Sequence, residues 1–249
     1  MLYPLSYGRI ASLLRNTLYS ACPQLQIAIK AQANRLAAPP AYRQNSLMDT
    51  TMQRRSLIAF YFGTTVATAD VTSEEAIDGA ARRAYPDLRR TLWGFGNHPE
   101  RNVLVDWTLS SPNDFVNSLA VVTSQEDFDS KHEEWCTTTF EQFTEYEHPT
   151  RDFTFQYGQA QKWLNMTLKY LAVLNHPEVQ RIYRYLHVPV DHYVIETAAK
   201  EKIARPGGIK AWSRLSRDEY IDYQLRLREI VPPGPCPLDW EANARIDRT

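Results

Sequence analysis

Residues 157–171, YGQAQKWLNMTLKYL, decide how the chain is read. Trp163, Met166 or Thr167, Tyr170 and Leu174 recur three and four apart, which is the spacing of one side of an α-helix. Lys162, Asn165 and Lys169 fall three, four and seven apart and share another side. A polar stripe of that kind usually faces solvent. Here Tyr157, Trp163, Leu168 and Tyr170 crowd both flanks and leave the stripe narrow. A lysine beside aromatic bulk can be partly desolvated, which lowers its pKa and frees an amine to act as a nucleophile.

Helical signals continue on both sides of this passage. TSEEAIDGAARRAYPDLRRTL (72–92) opens with a capping-box pattern, Thr72 to Glu75, and carries Pro86 as a kink or break. The stretch from 110 to 147 shows cap residues, apolar positions three and four apart and a charged outer face. SRDEYIDYQLRLREIV (216–231) starts with a second capping box, Ser216 to Glu219. Only RNVLVDWTL (101–109) has strand character, and it reads equally well as buried helix. The expected fold is therefore all-α.

The chain has 249 residues, of which 43% are hydrophobic and 12% aromatic, enough to bury a sizeable core. No apolar run approaches the roughly 20 residues that span a bilayer. Cys22, Cys136 and Cys236 lie far apart with no C-x-x-C pair, so neither zinc nor an iron–sulfur cluster finds its usual ligand spacing, and a reducing, intracellular compartment is expected. The net charge of −1 hides a pattern. Residues 1–55 hold seven Lys/Arg and one acid, residues 56–150 six against sixteen, and residues 151–249 fifteen against twelve. Basic ends permit a polyanion-binding face without demanding one. Residues 5–40, rich in arginine, serine and spaced apolar side chains, read as one or two helices of the mature fold or as a transit segment, and AAPPAYRQNS (37–46) as a linker or turn.

Phosphate-loop, H-E-x-x-H and G-x-S-x-G motifs are absent, and GPCPLDW (234–240) supplies one cysteine where a zinc deaminase needs two. No metal or other cofactor is expected. What remains is Lys162 and, 29 residues on, Asp191, placed directly before an amphipathic stretch in HVPVDHYVIETA (187–198). Asp is a favoured helix N-cap, so capping alone accounts for its position as readily as catalysis does.

HVPVDHYVIETA resembles the catalytic segment of the helix-hairpin-helix DNA glycosylases, in which Pro-Val-Asp precedes a helix, and YGQAQKWLNMTLKYL resembles their upstream hairpin and second helix. The nearer likeness is to the archaeal 8-oxoguanine glycosylases, whose hairpin is atypical and whose Schiff-base lysine follows a glutamine, as Lys162 follows Gln161. The likeness covers about residues 150–200. Where the family's hairpin usually reads Leu-Pro-Gly-x-Gly, this chain has Gly158 alone in FQYGQAQ.

The resemblance implies a two-lobed helical unit with a cleft between the lobes, built from basic helices in 1–55, an acidic helical segment in 56–150, and the hairpin, catalytic motif and C-terminal helices in 151–249. It implies a monomeric cytoplasmic enzyme, nucleoid-associated in a bacterium or archaeon, that extrudes and excises a damaged or modified base from duplex DNA. Lys162 would be the nucleophile and Asp191 the carboxylate that stabilises positive charge on the sugar. Tyr157, Trp163 and Trp212, together with Trp93, would offer stacking surfaces. Gln161 and Asn165 would read a base edge, and Lys169 would serve the substrate side, with the nucleophile open between Lys162 and Lys169. Gly158, Gln159 and Arg151 would hold the DNA backbone. The excised base is either 8-oxoguanine, which makes the protein a repair enzyme, or a hypermodified viral base, which makes it a defence factor. The alternative is a non-catalytic helical module that binds DNA or a protein, with Asp191 only a cap.

Overall fold

The structure, a computed structural model, describes residues 40–146, 153–208, 211–231 and 235–246. The chain divides into two compact units, residues 1–55 and 56–249. Helix α1 (Pro40–Phe62) begins in the first and ends in the second. Arg151 and most of the basic N-terminal segment, including the stretch that reads as a transit peptide, lie outside the described residues.

Every regular element among the described residues is helical, as the sequence pattern requires. After α1 come α2 (Thr64–Thr68), α3 (Glu74–Leu88), α4 (Arg101–Ser118), α5 (Gln125–Glu145), α6 (Tyr157–Leu174), α7 (Pro177–Arg181), α8 (His192–Lys200), α9 (Arg217–Ile230) and α10 (Pro237–Ile246). RNVLVDWTL is helix, the first half of α4. The cap of α3 is shifted by one residue from its expected place. Ser73 accepts from the Ala76 amide, whereas Thr72 turns back to Asp70. Pro86 falls within the last turn of α3, where its missing amide removes one intrahelical hydrogen bond close to the point at which the helix ends, and a 3-10 turn over Arg89–Thr91 follows. The Ser216–Glu219 capping box is present and opens α9.

Helix α6 is the axis of the second unit, with 15 of its 18 residues buried. Its closest neighbour is α3, whose buried face is Ile77, Ala80, Ala81, Ala84 and Leu88. Alanines on that face let the two backbones approach, and Trp163 fills the contact, its indole Nε1 donating to the Ala81 carbonyl at 3.1 Å. On the opposite side α5 and α9 close the core, with Phe143 stacked on Phe155 at 3.9 Å between ring centroids. Among the described residues no helix is long and apolar enough to cross a membrane.

Candidate functional site

Between α7 and α8 the chain runs through Leu186, His187, Val188, Pro189 and Val190 without regular structure, and all five are buried. A buried irregular segment must find partners for its backbone polar groups. Side chains from the neighbouring helices supply them. Gln224 of α9 takes both groups of Val188, its Oε1 accepting from the amide at 3.3 Å and its Nε2 donating to the carbonyl at 2.7 Å. Lys162 Nζ donates to the Pro189 carbonyl at 3.4 Å, and Gln161 Nε2 to the Val190 carbonyl at 3.1 Å. The segment ends at Asp191.

Asp191 divides its two oxygens between two tasks. Oδ1 accepts from the Val194 amide at 3.0 Å and so caps α8, and Oδ2 accepts from Lys162 Nζ at 2.9 Å. One carboxylate thus caps α8 and pairs with Lys162. Lys162 is only 3% exposed. An ion pair at that depth stands only if geometry and further hydrogen bonds offset the loss of water, and the Pro189 carbonyl contributes one of them. The pair lies at the N-terminal end of α8, whose dipole favours a negative charge there.

A third residue approaches the amine. The 3-10 turn Trp212–Arg214 lies over the first turn of α6, and the Trp212 ring stands 5.9 Å from Lys162 Nζ. Gly158 makes this approach possible. A Cβ at that position would meet the Trp212 carbonyl oxygen at 2.3 Å, and the Gly158 amide donates to the Leu215 carbonyl at 2.9 Å. Gly158→Ala is therefore expected to push the Trp212 turn off Lys162 and to destabilise the fold by about 1–3 kcal/mol, the usual cost of overpacking. Chemical unfolding together with Trp212 fluorescence measures both effects, and a variant unchanged in each would contradict the packing argument.

Behind the pair lies a buried polar network. Asn165 Nδ2 donates to Gln161 Oε1 and to the Tyr220 hydroxyl at 3.0 and 2.9 Å, and its Oδ1 lies 2.8 Å from His132 Nε2. His187 joins Tyr220 to Asp129, at 2.8 and 2.7 Å, and Arg228 donates to both Asp129 oxygens at 2.7 Å. Burial drives the His132 and His187 pKa values down, and the charge each would place near the other adds to this for His132. Burial opposes ionisation of Asp129 as well, yet hydrogen bonds from His187 and Arg228 outweigh it and hold the carboxyl below its usual range. Cys136 lies 3.7 Å from His132 Nδ1, but burial raises its thiol pKa well above normal, so the two do not make a nucleophilic pair.

The histidines set a pH response. Both are held neutral in the folded chain, so below an ordinary histidine pKa of about 6.5 the unfolded chain binds more protons than the folded one. Stability should be level above about pH 7, fall as the pH drops through about 6.5, and fall again below about pH 4, where the depressed Asp129 carboxyl begins to lose its advantage over the unfolded state. Urea midpoints measured across this range test the sign, and a midpoint that rises on acidification would contradict it.

Several expected site residues have other employment. Trp163 is fully buried against α3 and Tyr85, so it is core and not a stacking surface for a base. Tyr157 is buried beside Tyr220 and Cys136 and is core as well. Gln161 and Asn165 are buried with their amides used internally, which leaves them as supports for Asp191 and not as readers of a base edge. Gly158 and Gln159 do not present amides to a phosphate: the first bonds Leu215, and the second bonds the Gln156 carbonyl while its side chain reaches Thr91. Lys169 pairs with Glu241 of α10. Of the expected stacking surfaces, Trp212 stands near Lys162, its ring 5.9 Å from Nζ.

No family model, curated protein or solved structure matches this chain. The site therefore rests on its own geometry. His187, Tyr220 and Gln224 were not singled out from the sequence, yet a signal for Gln224 was present. Tyr220, Tyr223, Gln224 and Leu227 form the buried stripe of α9, and an amide on such a stripe must satisfy something inside. Among the described residues no three His, Cys, Asp or Glu side chains converge as metal ligands.

Proposed function

We propose that the chain is a DNA glycosylase with lyase capability, in which Lys162 is the nucleophile and Asp191 its proton acceptor and electrostatic partner. The observation that carries this reading is the contact of Lys162 Nζ with Asp191 Oδ2 at 2.9 Å, made across 29 residues of sequence at the start of α8. The likeness of both segments to the helix-hairpin-helix glycosylases supplies the chemistry.

A base inside a duplex is out of reach, so the nucleotide is extruded, at a cost of a few kcal/mol offset by stacking and hydrogen bonds in the enzyme. The Trp212 ring, 5.9 Å from Nζ, moves aside to admit the sugar and becomes the surface on which the extruded base stacks. Closing water out favours transfer of the Lys162 proton to Asp191, and the freed amine bonds to the sugar C1′. The C1′–N bond breaks, and its electron pair leaves with the base, which takes up a proton. The ring oxygen then leaves C1′ and is protonated, giving a Schiff base. Loss of a C2′ proton expels the 3′ phosphate and cuts the strand. The proton that the base takes up is the one Asp191 received from Lys162, and the carboxylate so restored faces the positive charge on the sugar and then on the Schiff-base nitrogen.

The substrate is an oxidised guanine or a hypermodified pyrimidine of viral DNA, and the fold is a monomeric two-lobed unit with a cleft, working in the cytoplasm or on a nucleoid. Borohydride reduction of mixtures with oligonucleotides carrying different modified bases tests the reaction and names the base at once, since a covalent adduct forms only through the Schiff base. The near-complete burial of Lys162 favours a second reading, a helical DNA- or protein-binding module in which the pair is structural. Absence of both adduct and base release across the panel selects it. Duplex binding is expected to weaken with salt more steeply than a net charge of −1 suggests, by a slope of about −0.9 in log K against log salt for each phosphate engaged. A flat titration removes DNA as the partner.

A further inference from the structure

Helix α6 carries two turns on its first turn, and their outward faces match each other in chemistry. Gly158 holds the Trp212–Arg214 turn through Leu215. Gln159, the next residue, holds the Arg89–Thr91 turn, its Nε2 donating to the Thr91 carbonyl at 2.7 Å. Gly158 and Gln159 stand four and three residues before Lys162, so both turns are fastened on the side of the helix that carries the amine.

The second turn runs directly into a tight reversal. Phe95 donates to the Leu92 carbonyl at 3.1 Å, and Gly94 has φ 83° and ψ −21°, the third position of a type II turn, which a side-chain-bearing residue adopts only with strain. Leu92 and Phe95 are buried and anchor the reversal from below. Trp93 is its apex and is 74% exposed. Nothing in core packing accounts for a tryptophan held out on a pinned turn, since burial of its ring would be worth a few kcal/mol. Arg89, Arg90 and Arg214 are exposed beside these turns, and none of the three is paired with a carboxylate among the described residues.

We infer that these two turns form the surface that grips duplex DNA, with Arg89, Arg90 and Arg214 on phosphates and Trp93 entering the base stack beside the extruded nucleotide. The inference rests on the glycosylase reading for its partner and gives that reading a DNA contact that the hairpin glycine cannot provide, because the Gly158 amide is already bonded. Three cations fix the duplex without reading its sequence, as phosphate contacts do. An apolar wedge between base steps holds open the place a nucleotide has left.

The test uses the full chain, with the parent protein, the Arg89→Gln/Arg90→Gln/Arg214→Gln variant and, as a control, Arg217→Gln, which removes an exposed cation already paired with Glu133. Affinity for an unmodified duplex is measured as a function of salt. The triple variant should lose up to about 2.7 from the log–log slope, 0.9 for each phosphate contact, while the control keeps the parent slope. Trp93→Ala is read separately with 2-aminopurine beside a tetrahydrofuran abasic analogue. Its fluorescence should rise with the parent protein and with Trp93→Phe, and stay quenched with Trp93→Ala. A triple variant that keeps the parent slope overturns the grip while leaving the glycosylase reading intact. A normal slope loss with neither base release nor a borohydride adduct on any substrate overturns the glycosylase reading and leaves the grip standing.

Discussion

Asp191→Asn is expected to lower base excision by a factor on the order of 10² to 10³, the usual worth of one preorganised electrostatic group. The amide still accepts from the Val194 amide, and Asn is about as good an N-cap as Asp, so α8 keeps its start. What disappears is the charge opposite Lys162. At 3% exposure that loss reaches stability as well, because removing one partner of a buried pair costs up to about 3–5 kcal/mol when the other stays charged. A fall in activity alone is therefore ambiguous. The second variant that resolves it is Lys162→Gln/Asp191→Asn, in which neither charge remains and most of the stability should return. If Asp191 acts in chemistry, the double variant folds well and excises nothing. Excision by Asp191→Asn at the parental rate would leave Asp191 a cap and a structural partner only.

How much of this was legible beforehand depends on what each residue's neighbours in sequence reveal. The helices were legible because caps and apolar spacing are local. Ser216 and Glu219 lie three residues apart and do what that spacing says, and the shift from Thr72 to Ser73 is a choice between adjacent hydroxyls that spacing cannot make. The pairing of Lys162 with Asp191 came from a resemblance, and no periodicity reaches across 29 residues. Trp163 was misplaced for a geometric reason. Successive helical residues point about 100° apart, so the residue after Lys162 faces α3 while the lysine faces Asp191. Lys169 shares the face of Lys162 but lies two turns, about 10 Å, further along, where α10 brings Glu241 to it.

The buried amides were the least legible. Gln161, Asn165 and Gln224 look like surface residues in a list of compositions, and their role appears only once the irregular run before Asp191 is seen to lack a strand partner. In a sheet protein a neighbouring strand would bond Val188 and Val190. Here side chains from α6 and α9 do so, and the position of the Asp191 carboxylate is fixed by the same amides that complete the core. A carboxylate held this way costs little reorganisation when charge develops in front of it.

Lys162→Gln is expected to abolish the borohydride-trapped adduct outright, because Lys162 Nζ is the amine bonded to Asp191 Oδ2 and a Schiff base needs a primary amine. Strand cleavage at the abasic site should vanish with it. Excision survives only if water, activated by Asp191, replaces the amine; the product would then be an intact abasic strand, and the ratio of excision to cleavage separates the two routes. Gln retains a donor for the Pro189 carbonyl but takes the cation from Asp191, so the adduct is measured at temperatures where this variant too is folded. Lys169→Gln is the control for a misassigned lysine. Its partner Glu241 is buried and loses that cation, so that variant should lose stability while keeping the adduct at temperatures where it is folded. An adduct that persists in Lys162→Gln and disappears in folded Lys169→Gln would move the nucleophile two turns along α6 and take the Asp191 pair out of the chemistry.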